Sequence, residues 1–248
     1  MSRFALATVL AFVASSALRA QDPEPKETLT KAIKAQGFKD DGKALAQSWK
    51  DTGTVDVSGM KIDYTADFWF RPPDGLRFEL MAEVMGLKLA IKHVTAGDMV
   101  WDGMDGKVEE VKGEKKDYSK VQAYYIWVTS LTPLNHDKQF KLSSVVGKKV
   151  NDKPTLGILI ERKDKPEITL YFDKETGLLA KSEITVKDEF QGWKDVLQEV
   201  FYEDWKDSGD MKVFGRMRVM RDGKAFIDSK PSEPKLSEKL DPKLFEKP

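Results

Sequence analysis

From Met60 onward, hydrophobic residues occupy every second position, Met60, Ile62, Tyr64, Ala66, Phe68 and Phe70, while Lys61, Asp63, Thr65 and Asp67 fill the alternate ones. A period of two places one face of a strand against a core and the other in water. Pro72 and Pro73 stop the run because neither has a backbone N–H to donate, and Asp74-Gly75 supplies a turn. A second alternating run follows through Leu76, Phe78, Leu80, Ala82 and Val84. The pattern predicts an antiparallel hairpin over residues 60–84.

Alternation continues in one phase through Leu87, Leu89, Ile91 and His93, and again after the turn at Ala96-Gly97-Asp98. Asp102-Gly103 and Asp105-Gly106 are further turn signals. Later strands are expected at 139–146, 155–161, 167–173, 178–187, 196–205, 212–220 and 224–229. Two segments switch to helical spacing. In residues 24–36, Leu29, Ala32, Ile33 and Gln36 line one side and Gly37 stands as the stop. In residues 118–131, Val121, Tyr124 or Tyr125, Val128 and Leu131 recur every three or four positions. Residues 40–49 read as a further turn or two of helix before a strand at 54–57, and the Pro- and Lys-rich tail 231–248 reads as extended. The sum is an α+β chain built on an antiparallel sheet of ten or eleven strands, without a βαβ rhythm.

Composition narrows the function classes. Forty-one basic residues balance forty-one acidic ones among 248, so no global field draws the chain to nucleic acid. With 40 % hydrophobic and 33 % charged residues, it suits a globular fold with a heavily charged surface. Arg3, an apolar stretch from Phe4 to Leu18 and the polar Gln21-Asp22-Pro23 are laid out as a secretory signal peptide over residues 1–20. Cleavage fits after Ala20 or after Ala17. The expectation is an exported protein with one domain over residues 21–248. The absence of cysteine rules out a lipid-anchoring lipobox, a disulfide framework and a thiolate metal site.

Catalytic patterns are sparse. His93 and His136 are the only histidines and lack the short ligand spacing of a zinc site, so no metal and no cofactor is expected. No Gly-x-Ser-x-Gly elbow, dinucleotide fingerprint or P-loop occurs. Asp98, Asp102 and Asp105 surround two Gly turns without the ordered spacing of a calcium loop, and His136-Asp137 reads as a solvated loop. The chain is therefore expected not to be an enzyme. Its six tryptophans, nine methionines and thirteen phenylalanines supply core, or alternatively a cavity whose adaptable side chains repack around hydrocarbon.

The segment Trp69-Phe70-Arg71-Pro72-Pro73-Asp74-Gly75-Leu76-Arg77-Phe78 resembles the strand-turn-strand signature of the LolA-like superfamily, the periplasmic lipoprotein carriers and their relatives. Ala96-Gly97-Asp98-Met99-Val100-Trp101, Tyr171-Phe172-Asp173-Lys174-Glu175-Thr176-Gly177-Leu178 and the terminal Leu240–Pro248 segment resemble later motifs of that family in the same order. The resemblance implies an unclosed β-barrel, a strongly curved antiparallel sheet with helices covering an apolar concave face. It implies a binder of lipoprotein acyl chains or other lipids, working as a monomer with membrane-bound donor and acceptor proteins and no nucleic acid. The alternative is an envelope stress-sensing or scaffold module on the same fold. Candidate cavity or lid residues are Phe68, Phe70, Phe78, Leu80, Trp101, Val121, Tyr124, Tyr125 and Val128. The family's lid-latching arginine falls on Arg71. Strict alternation puts Arg71 on the face of Asp67 and Trp69, so the latch requires a bulge at the prolines.

Overall fold

The computed structural model describes residues 23–248. The expected signal peptide lies outside the described residues. The chain opens with helix α1 (Pro25–Ala35), followed by a meander of β1 (Ala46–Val57), β2 (Met60–Arg71), β3 (Gly75–Val84), β4 (Leu87–Ala96), β5 (Met99–Met104) and β6 (Lys107–Glu110). Helix α2 (Gly113–Thr129) precedes β7 (Lys141–Val145), β8 (Lys149–Val150), β9 (Lys153–Glu161), β10 (Ile168–Asp173) and β11 (Leu179–Asp188). After these come β12 (Lys194–Glu203), β13 (Lys206–Ser208), β14 (Met211–Val213), β15 (Arg216–Arg221) and β16 (Lys224–Ser237). Short 3-10 turns cover Glu189–Gln191 and Pro242–Phe245.

Fourteen strands form one sheet in the order β6-β5-β4-β3-β2-β1-β16-β15-β12-β11-β10-β9-β7, with β8 paired to β9, and β13 and β14 make a separate hairpin. This is more strands than the ten or eleven expected, because short pieces such as the two-residue β8 carry no readable period. Helix α2 touches β4, third from one edge, and also β10, third from the other. Laid flat, those two strands would stand roughly 38 Å apart at about 4.8 Å per strand. A 17-residue helix is only about 25 Å long. The sheet must therefore curl around α2, and because β6 and β7 do not pair, the barrel is unclosed.

Alternation assigns the inner face. Ile158, Ile160, Ile168, Leu170, Ile184, Val186, Val196 and Val200 pack there against Leu29, Ala32 and Ile33 of α1 and Tyr124, Tyr125 and Val128 of α2. Each such aliphatic side chain contributes roughly 1.5–3 kcal/mol through burial. Helix α1 ends as its sequence predicts. Gly37 adopts φ 81°, and the Phe38 N–H turns back to the Ile33 carbonyl. A Cβ on Gly37 would stand 2.0 Å from the Asp210 carbonyl oxygen, so the position requires glycine on two grounds.

Two expectations are corrected. Residues 46–49 are not helical: β1 begins at Ala46, with Gln47 paired to Phe70 and Trp49 to Phe68. The tail is not merely extended, since β16 continues to Ser237 along β1. It passes through Pro231 and Pro234 because β15 pairs with β16 only as far as Ser229, leaving the later residues at a free edge.

Candidate functional site

Cross-strand register aligns Trp49, Phe68, Phe78, His93 and Asp102 in one row across β1 to β5. The rings form a ladder: Trp49 and Phe68 stack at 4.9 Å, Phe68 and Phe78 meet at 5.5 Å, and Phe78 stacks on His93 at 4.9 Å. The next row holds Ala66, Leu80, Ile91 and Met104, and the one after it Tyr64, Ala82 and Leu89. Trp49, Phe68, Phe78, Leu80, Leu89 and Ile91 are only half-buried and do not belong to the core beneath α1 and α2. The inner face thus has two apolar regions, a filled core over β9–β12 and a partly open stripe over β1–β4.

Polar contacts hold α2 between them. Lys115 pairs with Asp102 at 2.6 Å, and Lys120 pairs with Asp98 at 2.5 Å. Asp102 also accepts from His93 Nδ1 at 2.6 Å, and a proton on Nδ1 leaves Nε2 to accept from the Thr95 hydroxyl at 2.9 Å. Burial alone would raise the Asp102 carboxyl, but hydrogen bonds from His93 and Lys115 hold it below its ordinary value. Deeper in, the Tyr125 hydroxyl lies 2.5 Å from Ser182 Oγ and 2.6 Å from the Tyr202 hydroxyl. Burial pushes the Tyr125 phenol well above its usual range, so this cluster stays neutral.

A further tie on α2 comes from a residue that sequence reasoning missed. Arg221, 4 % exposed, donates through Nη2 to the Tyr118 hydroxyl at 2.8 Å and through Nε to Gln198 Oε1 at 3.3 Å. Its Nη1 pairs with Asp188 at 3.2 Å, and its guanidinium lies 3.7 Å from the centre of the Phe226 ring. In the sequence, Arg221-Asp222-Gly223 reads as a turn. The available signal was phase, since Arg221 shares the inner face with Val219.

Among the sequence-predicted residues, Phe68, Phe78 and Leu80 come together on the stripe, and Phe70 is fully buried at its end. Tyr124, Tyr125 and Val128 face the core from α2, with Val121 partly buried against it. Trp101 requires correction. It pairs with Val94 in the row of Arg77 and Trp69, on the outer face, because its neighbours Val100 and Asp102 take the inner one. Arg71 is also outward. It pairs with Gly75 in unbroken register, without a bulge, and its guanidinium sits 4.4 Å from the centre of the Phe245 ring. Among the described residues no hydrogen bond joins Arg71 to α2. The terminal turn covers this outer patch, with Arg77 donating to the Leu244 carbonyl at 3.0 Å. His136 pairs with Asp40 at 2.8 Å and not with Asp137.

A cleft of about 880 Å³ beside β1, β2 and β16 is lined by charges of both signs, among them Arg216 paired with Asp228 at 2.6 Å. Among the described residues there is no group of three or more His, Asp or Glu able to hold a metal ion, and no helix is long and apolar enough to cross a membrane.

No family model matches the chain, and no curated protein matches it. Solved structures do. A LolA superfamily protein from Nitrosomonas europaea superposes with a TM-score of 0.58 at 13 % identity, over 91 % of this chain and 98 % of that one. A DUF1329 family protein from Desulfovibrio piger gives 0.54 at 13 % identity, over 90 % and 98 %. A putative outer membrane lipoprotein-sorting protein domain from Vibrio parahaemolyticus gives 0.54 at 11 % identity, over 89 % and 95 %. At these identities the likeness is one of fold, and the chain has a LolA-like fold.

Proposed function

We propose that the protein is a non-enzymatic, exported binder of acyl chains, belonging to a lipid or an acylated lipoprotein, which it holds on the inner stripe beside α2. The observation carrying this reading is the half-buried ladder Trp49, Phe68 and Phe78, ending on the buried His93, with Leu80, Leu89 and Ile91 beside it, outside the core. Curvature makes the stripe a trough, and its aromatic and aliphatic side chains suit hydrocarbon of variable shape. A segment of about ten methylenes covering it would contribute roughly 8 kcal/mol gross, equivalent to a micromolar Kd before ordering costs. The contacts of α2 fix its body in the core and leave only its rim open to exchange. The exposed Lys120–Asp98 pair can be exchanged for water at small cost, while the buried Arg221–Tyr118 and Tyr125–Tyr202 contacts hold the helix body. The Vibrio parahaemolyticus domain, described as a putative lipoprotein-sorting domain, shares the fold and supports the cargo class.

The test is uptake of a fluorescent long-chain fatty acid, combined with native mass spectrometry of protein purified from a bacterial envelope. Paired Phe68→Gln and Phe78→Gln substitutions are expected to weaken uptake by at least tenfold with the fold retained. Absence of both uptake and co-purifying lipid in the unaltered protein would remove this reading.

A further inference from the structure

The two margins of the curled sheet approach each other across α2, and a pocket of about 280 Å³ occupies the seam. On one side lie the β2–β3 turn with Asp74 and the β4–β5 turn with Asp98. On the other lies the β9–β10 loop with Arg162 and Lys165, while α2 contributes Lys120 and Tyr124. Three cations therefore converge from two separate elements on one concavity.

Their existing partners leave capacity unused. Lys120 is engaged by Asp98, whose side chain is largely exposed at the rim. Arg162 is held flat by Trp127 at 4.6 Å and Phe140 at 5.0 Å. Its Nη2 donates to Gln139 at 2.8 Å and lies 3.7 Å from Asp137, which leaves Nε and Nη1 without a protein acceptor among the described residues. Lys165 stands 5.5 Å from the centre of the Tyr124 ring and has no carboxylate within ion-pair distance among the described residues. Desolvation and the neighbouring Lys120 and Arg162 charges push the Lys165 ammonium below its ordinary pKa, and the Asp74 and Asp98 carboxylates only partly offset them. Tyr124 is 3 % exposed and its hydroxyl is buried without a hydrogen-bond partner.

These groups share one deficit. Lys165 and Arg162 are donors only, and the tyrosine hydroxyl has a proton with no acceptor. Donors arriving from different sides call for oxygens on several sides of one small anion, which a tetrahedral oxyanion has and a planar carboxylate lacks. The two carboxylates at the rim, one of them already paired with Lys120, are too few to suit a metal ion. We propose that the seam pocket binds a phosphate group, with Lys165 and Arg162 supplying the charge and Tyr124 a hydrogen bond. The same chemistry is met by free inorganic phosphate and by a phospholipid headgroup. The proposal does not depend on the inner stripe holding acyl chains.

The test is calorimetric titration of the full chain with inorganic phosphate and, separately, with dihexanoylphosphatidylglycerol below its micelle concentration. Each titration is repeated on Lys165→Gln and on Tyr124→Phe, with fatty-acid uptake measured in parallel. Lys165→Gln removes an exposed loop charge and leaves the fold intact. It is expected to weaken phosphate-dependent binding about tenfold or more, as for a lost charge-assisted hydrogen bond. Tyr124→Phe is expected to weaken it several-fold with thermal stability kept or raised, since it deletes a buried hydroxyl that has no partner. Binding of inorganic phosphate that is sensitive to both substitutions supports a free-anion site. Binding of the lipid alone, with the same sensitivity, supports a headgroup site. If neither probe binds, or if binding is indifferent to Lys165→Gln, the phosphate site is overturned. Uptake of fatty acid that persists in that case separates this failure from failure of the acyl-chain reading.

Discussion

Asp51 stands in the middle of β1, 3 % exposed, on the inner face of a sheet with little else that can ionise nearby. Its Oδ2 accepts from the Tyr64 hydroxyl at 3.0 Å, and its Oδ1 has no partner. Burial pushes the carboxyl up to about 6 from an ordinary 3.8, against the opposing pull of the Tyr64 hydrogen bond. Because the folded value is the higher one, the folded state holds the proton more tightly than the unfolded chain. Below about pH 4 both states are protonated and the group makes no difference to stability. As the pH rises through the interval between the two values, the unfolded chain ionises first and the fold loses stability, until above about pH 6 the loss is complete. The interval corresponds to about 3 kcal/mol. Asp51→Asn keeps an acceptor for Tyr64 and cannot ionise, while Ser229, fully buried with an unpartnered hydroxyl, lies diagonally across the β1–β16 pair as an acceptor for the new amide. The substitution is therefore expected to stabilise the fold by about 3 kcal/mol near pH 8 and by almost nothing near pH 4. Urea unfolding curves across that range measure it. An equal gain at both ends, or a loss near pH 8, would refute the reasoning.

Tyr118→Phe removes the α2 acceptor of a buried guanidinium, a contact of about 1.5–3 kcal/mol; amide exchange in α2 should accelerate by tenfold or more while β9–β12 change little, and unchanged α2 exchange would show that Arg221 does not hold the helix. Phe245→Ala strips the ring from Arg71 and uncovers the outer face beside Arg77, at a cost of about 3 kcal/mol in urea unfolding. Gly53→Ala would bring a Cβ to 2.6 Å from the Asp228 carbonyl oxygen and 2.9 Å from the Ser229 Cα; backbone cannot easily yield, so a loss of about 1–3 kcal/mol is expected in thermal or urea unfolding.

Where side-chain phase and turn chemistry agreed, the sequence was readable. The β2–β3 hairpin, α1 with Gly37 as its stop and the body of α2 all follow from patterns that local physics enforces. The first part of strand β1, before Thr54, was hidden because its inner positions include Gln47, Asp51 and Gly53, which break the apolar alternation although the face is buried. The far part of β16 was hidden because Pro231 and Pro234 look like terminators, and only the topology reveals that one side of that strand is unpaired. The candidate site was half legible. Phe68 and Phe78 were found by period, whereas Trp101 was assigned by residue type against its own phase, which Val100 and Asp102 determine. Arg71 went the same way: alternation pointed outward, and the structure keeps that alternation. Arg221 needed the third dimension, since its partners Asp188, Gln198 and Tyr118 come from three separate segments.

The pairing of β1 with β16 puts residues from near the two ends of the chain side by side at the centre of the sheet. A chain emerging N-terminus first can zip β1 to β6 as a local meander, but β1 must wait with its second edge bare until the last strand has been made. That interval exposes an unpaired central strand, and pairing over so long a sequence separation is slow. Folding of this molecule should thus be limited by the arrival of its C-terminal strand, and truncations there should be felt in the middle of the sheet and not at its margin.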